Sequence, residues 1–266
     1  MAERLDIELV LRGIARSRSQ AAQLIDAGRV SVNGKRATKS AQKIVESDAV
    51  ELSQGLDYVS RAGAKLAFAL EQFDLEINGT VLDAGASTGG FTQVLLQAGA
   101  EQVLAIDVGH GQLVPELAAD SRVANLEGIN LRDYSRLELE QAIGKSPQIS
   151  LVVADLSFIS LTLVLENLKN LAPEAPMVLL VKPQFEVGKH SLNASGVVTD
   201  WRDRARALEQ VSDFVYSLGY SIKAMIQSPI LGTHGNVEYL LWIVPHSSNN
   251  REQWSAEITE LAKRTK

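Results

Sequence analysis

From residue 80 to residue 244 the chain reads as strand-length apolar runs separated by helical stretches, and this alternation limits the fold more than any other feature. The strand candidates are 80–84, 102–106, 123–126, 149–154, 176–182, 220–226 and 237–244. Helical stretches at 90–98, 111–119, 135–143, 160–170 and 201–218 lie between them. Such alternation builds a mostly parallel sheet covered by helices on both faces. The expected class is therefore α/β, with one seven-stranded sheet. The most apolar runs, MVLLV (177–181) and YLLWIV (239–244), are strand length. No window reaches the roughly 18 uncharged apolar residues of a membrane span.

The first strand candidate runs straight into a turn rich in glycine: Val81-Leu82-Asp83-Ala84-Gly85-Ala86-Ser87-Thr88-Gly89-Gly90-Phe91. Glycines let a backbone approach a ligand closely, and open α/β sheets bind ligands at the carboxyl ends of their strands. The spacing fails the G-x-G-x-x-G dinucleotide fingerprint, and no G-K-[ST] closes it as a phosphate loop. Asp107 follows the second strand at the spacing where an acid takes a pair of ribose hydroxyls, with Val108 beside it. Asn130-Leu131-Arg132 follows the third strand, a weaker signal for contacts to a base. The polar loop 186–200 is long enough to be functional.

The N-terminal residues read differently. Residues 4–12 form a short amphipathic helix. Ser17-x-x-Gln20 has the form of a capping box opening a second helix, on which Ala21, Leu24 and Ile25 share a face and which Gly28 ends. Val30 to Gly34 is a strand entering an Asn-Gly hairpin turn, and AVEL (49–52) is another strand. Arg16 and Arg18 flank the helix start, where basic side chains beside free N–H groups make a phosphate site. Arg4, Arg29, Lys35, Arg36 and Lys39 extend it. The chain's net charge is −6, yet residues 1–45 carry nine Lys/Arg against four Asp/Glu, leaving the rest at −11. A basic end on an acidic body points to a polyanionic partner, where the bland reading is a solvated charged face.

Four ionisable residues fall at strand or helix positions that call for an explanation. Lys65 lies in the helix before the first strand, Asp155 ends the fourth, Lys182 ends the fifth and Glu238 sits in the last. A lysine ending a buried apolar strand is costly without a partner or a purpose. Singly, each also has an ordinary reading as a surface or salt-bridged residue.

The run from Arg4 to Ile44, RLDIELVLRGIARSRSQAAQLIDAGRVSVNGKRATKSAQKI, resembles the S4-like RNA-binding domain, a small α+β unit. DAGASTGGF resembles the first motif of Rossmann-like class I methyltransferases of the FtsJ-like, ribose 2′-O-methylating type. The strings SRAGAKL, DLSFISL, VKPQFE and HGNVEYLLW further resemble the TlyA-type rRNA (cytidine-2′-O)-methyltransferases, whose members often carry a hemolysin label. The resemblance runs from about residue 4 to 244; members often have SRGG where this chain has SRAG.

That resemblance implies S-adenosyl-L-methionine as cofactor, bound by Asp83, Gly85 to Phe91, Asp107, Val108, Asn130, Leu131 and Asp155. It implies a catalytic tetrad of Lys65, Asp155, Lys182 and Glu238, and a ribosomal RNA or ribosomal subunit as partner. Lys182 is then the base for the ribose hydroxyl, Asp155 and Lys65 position that hydroxyl, and Glu238 supports the lysines. Phe158 and Phe185, each three residues past a tetrad member, are candidates to hold a displaced base.

The implied organisation is residues 1–54 for RNA binding, 55–61 as linker, 62–246 as methyltransferase and 247–266 as a C-terminal tail, with 246–253 polar. With no cysteine there is no thiolate metal site and no cysteine nucleophile, and no metal is expected. The start MAERLDIELVLRG has acids inside its apolar stretch and lacks signal-peptide form, so a cytoplasmic protein off the membrane is expected. A membrane-active hemolysin lacks any segment to insert. A non-catalytic RNA-binding assembly factor would leave the tetrad unexplained, and a small-molecule methyltransferase would leave the basic N-terminal unit unexplained.

Overall fold

The structure is a computed structural model that describes residues 3–26, 30–52, 58–245 and 251–264. Two compact units divide the chain, residues 1–64 and 65–266.

In the smaller unit, strand β1 (Glu3–Arg4) leads into helix α1 (Leu5–Leu11), followed by α2 (Arg18–Asp26), β2 (Val30–Val32), β3 (Lys35–Arg36), β4 (Lys43–Ile44) and β5 (Val50–Leu52). β2 pairs antiparallel with both β3 and β5, and β1 with β4. The β2–β3 turn places Asn33 and Gly34 at φ 51° and 73°, the left-handed pair that a two-residue hairpin needs. Asn33 is fixed further by donating its amide to Asp48 at 2.8 Å and accepting from the Ala49 N–H at 2.9 Å. Leu5, Leu9, Ala21, Ile25, Val30, Val32 and Ile44 form the core. At the start of α2 the Ser17 hydroxyl accepts from the Gln20 N–H at 3.2 Å, while the Gln20 side chain reaches back to the N–H of Arg16 rather than that of Ser17. Gly28 and Arg29 lie outside the described residues.

The larger unit starts within α3 (Arg61–Phe73) and continues β6 (Thr80–Ala84), α4 (Gly90–Gln97), β7 (Gln102–Asp107), α5 (Pro115–Ala118), β8 (Val123–Glu127), α6 (Arg136–Ile143), β9 (Ile149–Ala154), α7 (Leu165–Leu171), β10 (Met177–Val181), α8 (Pro183–Glu186), α9 (Trp201–Ser217), β11 (Tyr220–Gln227), β12 (Tyr239–Pro245) and α10 (Arg251–Lys263). Seven strands form one sheet in the order β11-β12-β10-β9-β6-β7-β8. The pairs β10–β9, β9–β6, β6–β7 and β7–β8 are parallel, whereas β12 runs antiparallel to both β10 and β11. This is the mostly parallel seven-stranded sheet expected from the sequence. Every residue of β10 is buried, as a central strand covered on both faces requires.

The C-terminal segment departs from the sequence reading. Residues 247–266 were expected to be a tail, but 251–263 form α10, with Trp254, Ile258, Leu261 and Ala262 buried. The Trp254 indole donates to the Ile222 carbonyl at 3.1 Å, and the buried Arg204 guanidinium donates to the Ala262 carbonyl. The polar run ahead of this helix hides a 254-258-261 apolar stripe that is short but helical in period.

Candidate active site

The strand order reverses beside β6, because the chain proceeds from β6 outward to β7 and β8 and then returns to β9 on the other side. Ligands of open α/β sheets bind in the crevice at such a point, outside the carboxyl ends of the strands. A cavity of about 430 Å³ lies there. Gly85, Ser87, Ile106, Asp107, Ile129 and Asp155 are among the residues lining it.

The turn after β6 is built for close approach. Gly85 has φ +86°, and a β-carbon there would stand 2.7 Å from the Asp155 carbonyl oxygen. The N–H groups of Gly85 and Ala86 both donate to the Ile106 carbonyl, and the Asp155 N–H donates to the Ala84 carbonyl. These bonds lock the ends of β6, β7 and β9 together. Asp107 closes the next wall: its carboxylate accepts from the Ser87 N–H at 2.8 Å and the Gly109 N–H at 2.7 Å. Gln112 bridges Asp107 and Ser87 with its side-chain amide, at 3.2 and 3.1 Å.

Beneath this turn Asp83 is fully buried and accepts a 2.6 Å hydrogen bond from Thr92 of α4. Burial pushes its carboxyl up to about 7; Thr92 opposes this, while the charges of Asp155 and Asp107 add to it.

The antiparallel insertion of β12 explains how four distant residues meet. Val181 pairs with Tyr239, so the residue after β10, Lys182, and the residue before β12, Glu238, come to the same edge of the sheet. There Lys182 Nζ lies 2.6 Å from Asp155 Oδ1 and donates to Ser157 Oγ at 2.7 Å. The Asp155 contact is an ion pair without hydrogen-bond alignment, since Oδ1 has no hydrogen-bond partner. Lys65 Nζ donates to Glu238 Oε2 at 2.5 Å, with both residues buried. Helix α3 is held against β12 lower down, where Phe73 stacks on Trp242 with ring centroids 5.8 Å apart.

The FtsJ-like methyltransferase family matches residues 58–244, and the S4 domain matches residues 3–50. The chain belongs to the FtsJ-like methyltransferase family. The 16S/23S rRNA (cytidine-2'-O)-methyltransferase TlyA of Mycobacterium tuberculosis is 48% identical over 244 residues, spanning 90% of this chain and 89% of that protein. Hemolysin A of Brachyspira hyodysenteriae is 39% identical over 89% of this chain and 98% of its own length. The solved structure of a candidate hemolysin from Streptococcus thermophilus covers 98% of this chain and 94% of its own, with a TM-score of 0.75 at 37% identity.

In this FtsJ-like methyltransferase, Gly85, Ser87, Asp107, Val108, Asn130, Leu131 and Asp155 line the cavity. Asp83, Ala86, Thr88, Gly89, Gly90 and Phe91 do not: Asp83 lies in β6 and the others form the turn and the start of α4 behind it. In the N-terminal unit, Arg16, Arg18, Lys35 and Lys39 are exposed, and Arg4 is partly so. Arg4 and Arg18 both bind the buried carboxylate of Asp6, Arg4 through two bonds of 2.9 and 3.0 Å and Arg18 at 2.9 Å. Arg36 lies on β3. Among the described residues no helix is long and apolar enough to cross a membrane, and no group of three or more His, Cys, Asp or Glu is placed to hold a metal.

Sequence reasoning missed Ser157, Gln112, Glu186 and Gly232. Glu186 is buried and accepts from Ser160 Oγ at 2.5 Å and from the Leu161 N–H at 2.9 Å, tying the loop after β9 to α8. Gly232 packs against the Glu238 carboxylate so closely that a β-carbon would overlap it. Ser157 and Glu186 lie inside quoted motif strings and were legible as neighbours, whereas Gly232 carried no signal. Phe158 is the most exposed large apolar residue among the described residues, at 91%, and holds φ +64°. Its ring lies 5.2 Å from that of Phe185, which in turn lies 5.9 Å from Lys182 Nζ.

Proposed function

We propose that this protein transfers a methyl group from S-adenosyl-L-methionine to the ribose 2′-oxygen of a cytidine in ribosomal RNA. The observation that carries the reading is the pairing of Lys65 with Glu238 and of Lys182 with Asp155 at one edge of the sheet, where Asp155 also lines the cavity with Gly85 and Asp107. A relative 48% identical over 90% of this chain is named for rRNA cytidine 2′-O-methylation.

The residues fit the cofactor. Gly85, without a side chain, lines the cavity beside Ser87, and Asp107 presents a carboxylate to ribose hydroxyls. Val108 and Leu131 offer apolar surface to a base, and Asp107 with Asp155 makes the cavity acidic, which suits a cation. When bound, the cofactor supplies an activated methyl on a sulfonium leaving group.

The remaining work belongs to the chain. Lys182 takes the proton of the 2′-hydroxyl, which it does only as the neutral amine. Asp155 orients the amine, and Lys65, fixed by Glu238, places positive charge where the oxygen becomes negative. Phe158 and Phe185 form an aromatic surface beside Lys182 on which a base swung out of its stack is held. The S4 domain supplies RNA affinity through Arg4, Arg16, Arg18, Arg29, Lys35, Arg36 and Lys39.

A 2′-O-methyl group removes the nucleophile that cleaves the adjacent phosphodiester in alkali. Treated ribosomal RNA should therefore show one or a few new alkali-resistant positions, each at a cytidine. Resistance at no position, or methylation on a base instead, would overturn the reading.

A further inference from the structure

Lys182 Nζ has two polar partners of different chemistry. Asp155 meets it at 2.6 Å as an ion pair without hydrogen-bond alignment, whereas Ser157 Oγ accepts an aligned hydrogen bond at 2.7 Å. An amine donates through its N–H groups whether neutral or charged, so an aligned acceptor holds it in both states. Ser157 Oγ is such an acceptor, and it leaves the nitrogen's lone pair free for the 2′-proton. It can stay bonded to the nitrogen before and after the proton is taken up. We infer that Ser157 is a positioning residue for Lys182, holding the amine in place in both of its protonation states; this rests on the function proposed above.

The fold fixes the serine where this role needs it. The loop from Asp155 to Leu161 and the turn from Lys182 to Glu186 are braced at two points. At one, Lys182 bonds Ser157; at the other, the buried Glu186 takes both the Ser160 hydroxyl and the Leu161 N–H. Between the braces Phe158 is held at φ +64°, a strained conformation for a bulky residue that persists only where its surroundings enforce it. Ser157 therefore sits in a loop whose path is fixed from both sides.

The other groups facing Lys182 do not supply this function. From the loop after β9 comes the Asp155 carboxylate, and from α8 the Phe185 ring. From the start of β12 comes Glu238, whose Oε2 is engaged by Lys65 of α3. As the 2′-oxygen gives its proton to Nζ, the oxygen's electron pair forms the new bond to carbon and Lys182 becomes the ammonium. Ser157 Oγ accepts from a Lys182 N–H before and after this event, so the nitrogen's lone pair stays aimed at the 2′-proton. Without Ser157, Asp155 is the main polar partner left, and its unaligned contact does not aim the nitrogen's lone pair.

The test is methyl transfer by the full-length protein over a range of ribosomal subunit concentrations, comparing wild type, Ser157→Ala and Ser157→Thr. Calorimetric binding of S-adenosyl-L-methionine reports whether each variant folds. The alanine variant should lose about tenfold or more in kcat with its KM for the subunit unchanged, and the threonine variant should restore the rate. An alanine variant with wild-type kcat would overturn the inference. So would equal losses in both variants, the mark of a purely structural serine. A variant that binds no cofactor is scored through its partner, since threonine keeps the hydroxyl. A wild-type protein that methylates no RNA would sink the proposed function itself, and the inference with it.

Discussion

The Lys65 ammonium and the Glu238 carboxylate meet at 2.5 Å across 173 residues of sequence, buried just ahead of β12, which runs against both its neighbours in the seven-stranded sheet. Gly232 leaves the room for that carboxylate. Gly232→Ala should push Glu238 off Lys65 and strand a buried charge. Removing one partner of such a pair costs about 3–5 kcal/mol, so a displacement should lower the melting temperature and reduce methyl transfer at least tenfold. RNA binding by the N-terminal unit should persist. A variant with wild-type rate and stability would show that the pair tolerates displacement.

Asp83 gives a pH dependence with a definite sign. Its carboxyl is raised to about 7 in the fold, chiefly by burial, against an ordinary 3.8. Between those values the folded protein holds a proton that the unfolded chain has lost. Stability should therefore fall as pH rises through this window and level off above it. Asp83→Asn removes the titration, so its melting temperature should vary less over the same range. A cationic cofactor favours the ionised carboxylate, so wild-type affinity should rise with pH near 7 while that of the variant stays level. Parallel curves for the two proteins would contradict this account.

Asp6 organises two of the arginines assigned to RNA. Its own carboxyl is held down at about 2, first by the Arg4 hydrogen bond and, against the cost of burial, by Arg18. The stability it contributes is present above its unfolded value and should be lost as pH falls through about 2. Asp6→Asn raises the positive charge of the unit by one, so charge alone predicts tighter RNA binding. Loss of the fixed guanidinium directions predicts weaker binding, and a several-fold rise in Kd is the expected result. Filter-binding titrations at matched salt decide it, and tighter binding by a folded variant would rule the organising role out.

Much of the fold was written in local signals. The seven strand runs and the Asn33-Gly34 turn follow from periodicity and turn chemistry, and the structure reproduces them within a few residues. The α10 helix escaped because its three apolar anchors are spread over eight residues behind a polar run. The individual site residues were visible as residues, but their pairing was not. Nothing local says that Lys65 takes Glu238 while Lys182 takes Asp155; the antiparallel register of β12 against β10 decides that. Gly232 was invisible for the same reason, since its constraint is a neighbour in space.

The central claim is that Lys182 removes the proton of a ribose 2′-hydroxyl. Its most direct test is transfer of labelled methyl from S-adenosyl-L-methionine to purified ribosomal subunits by wild type and Lys182→Ala, with cofactor binding measured on both. The account predicts incorporation into RNA by the wild type, a loss of about 10²-fold or more in the variant, and cofactor binding retained by each. A Lys182→Ala protein that methylates RNA at the wild-type rate would contradict it.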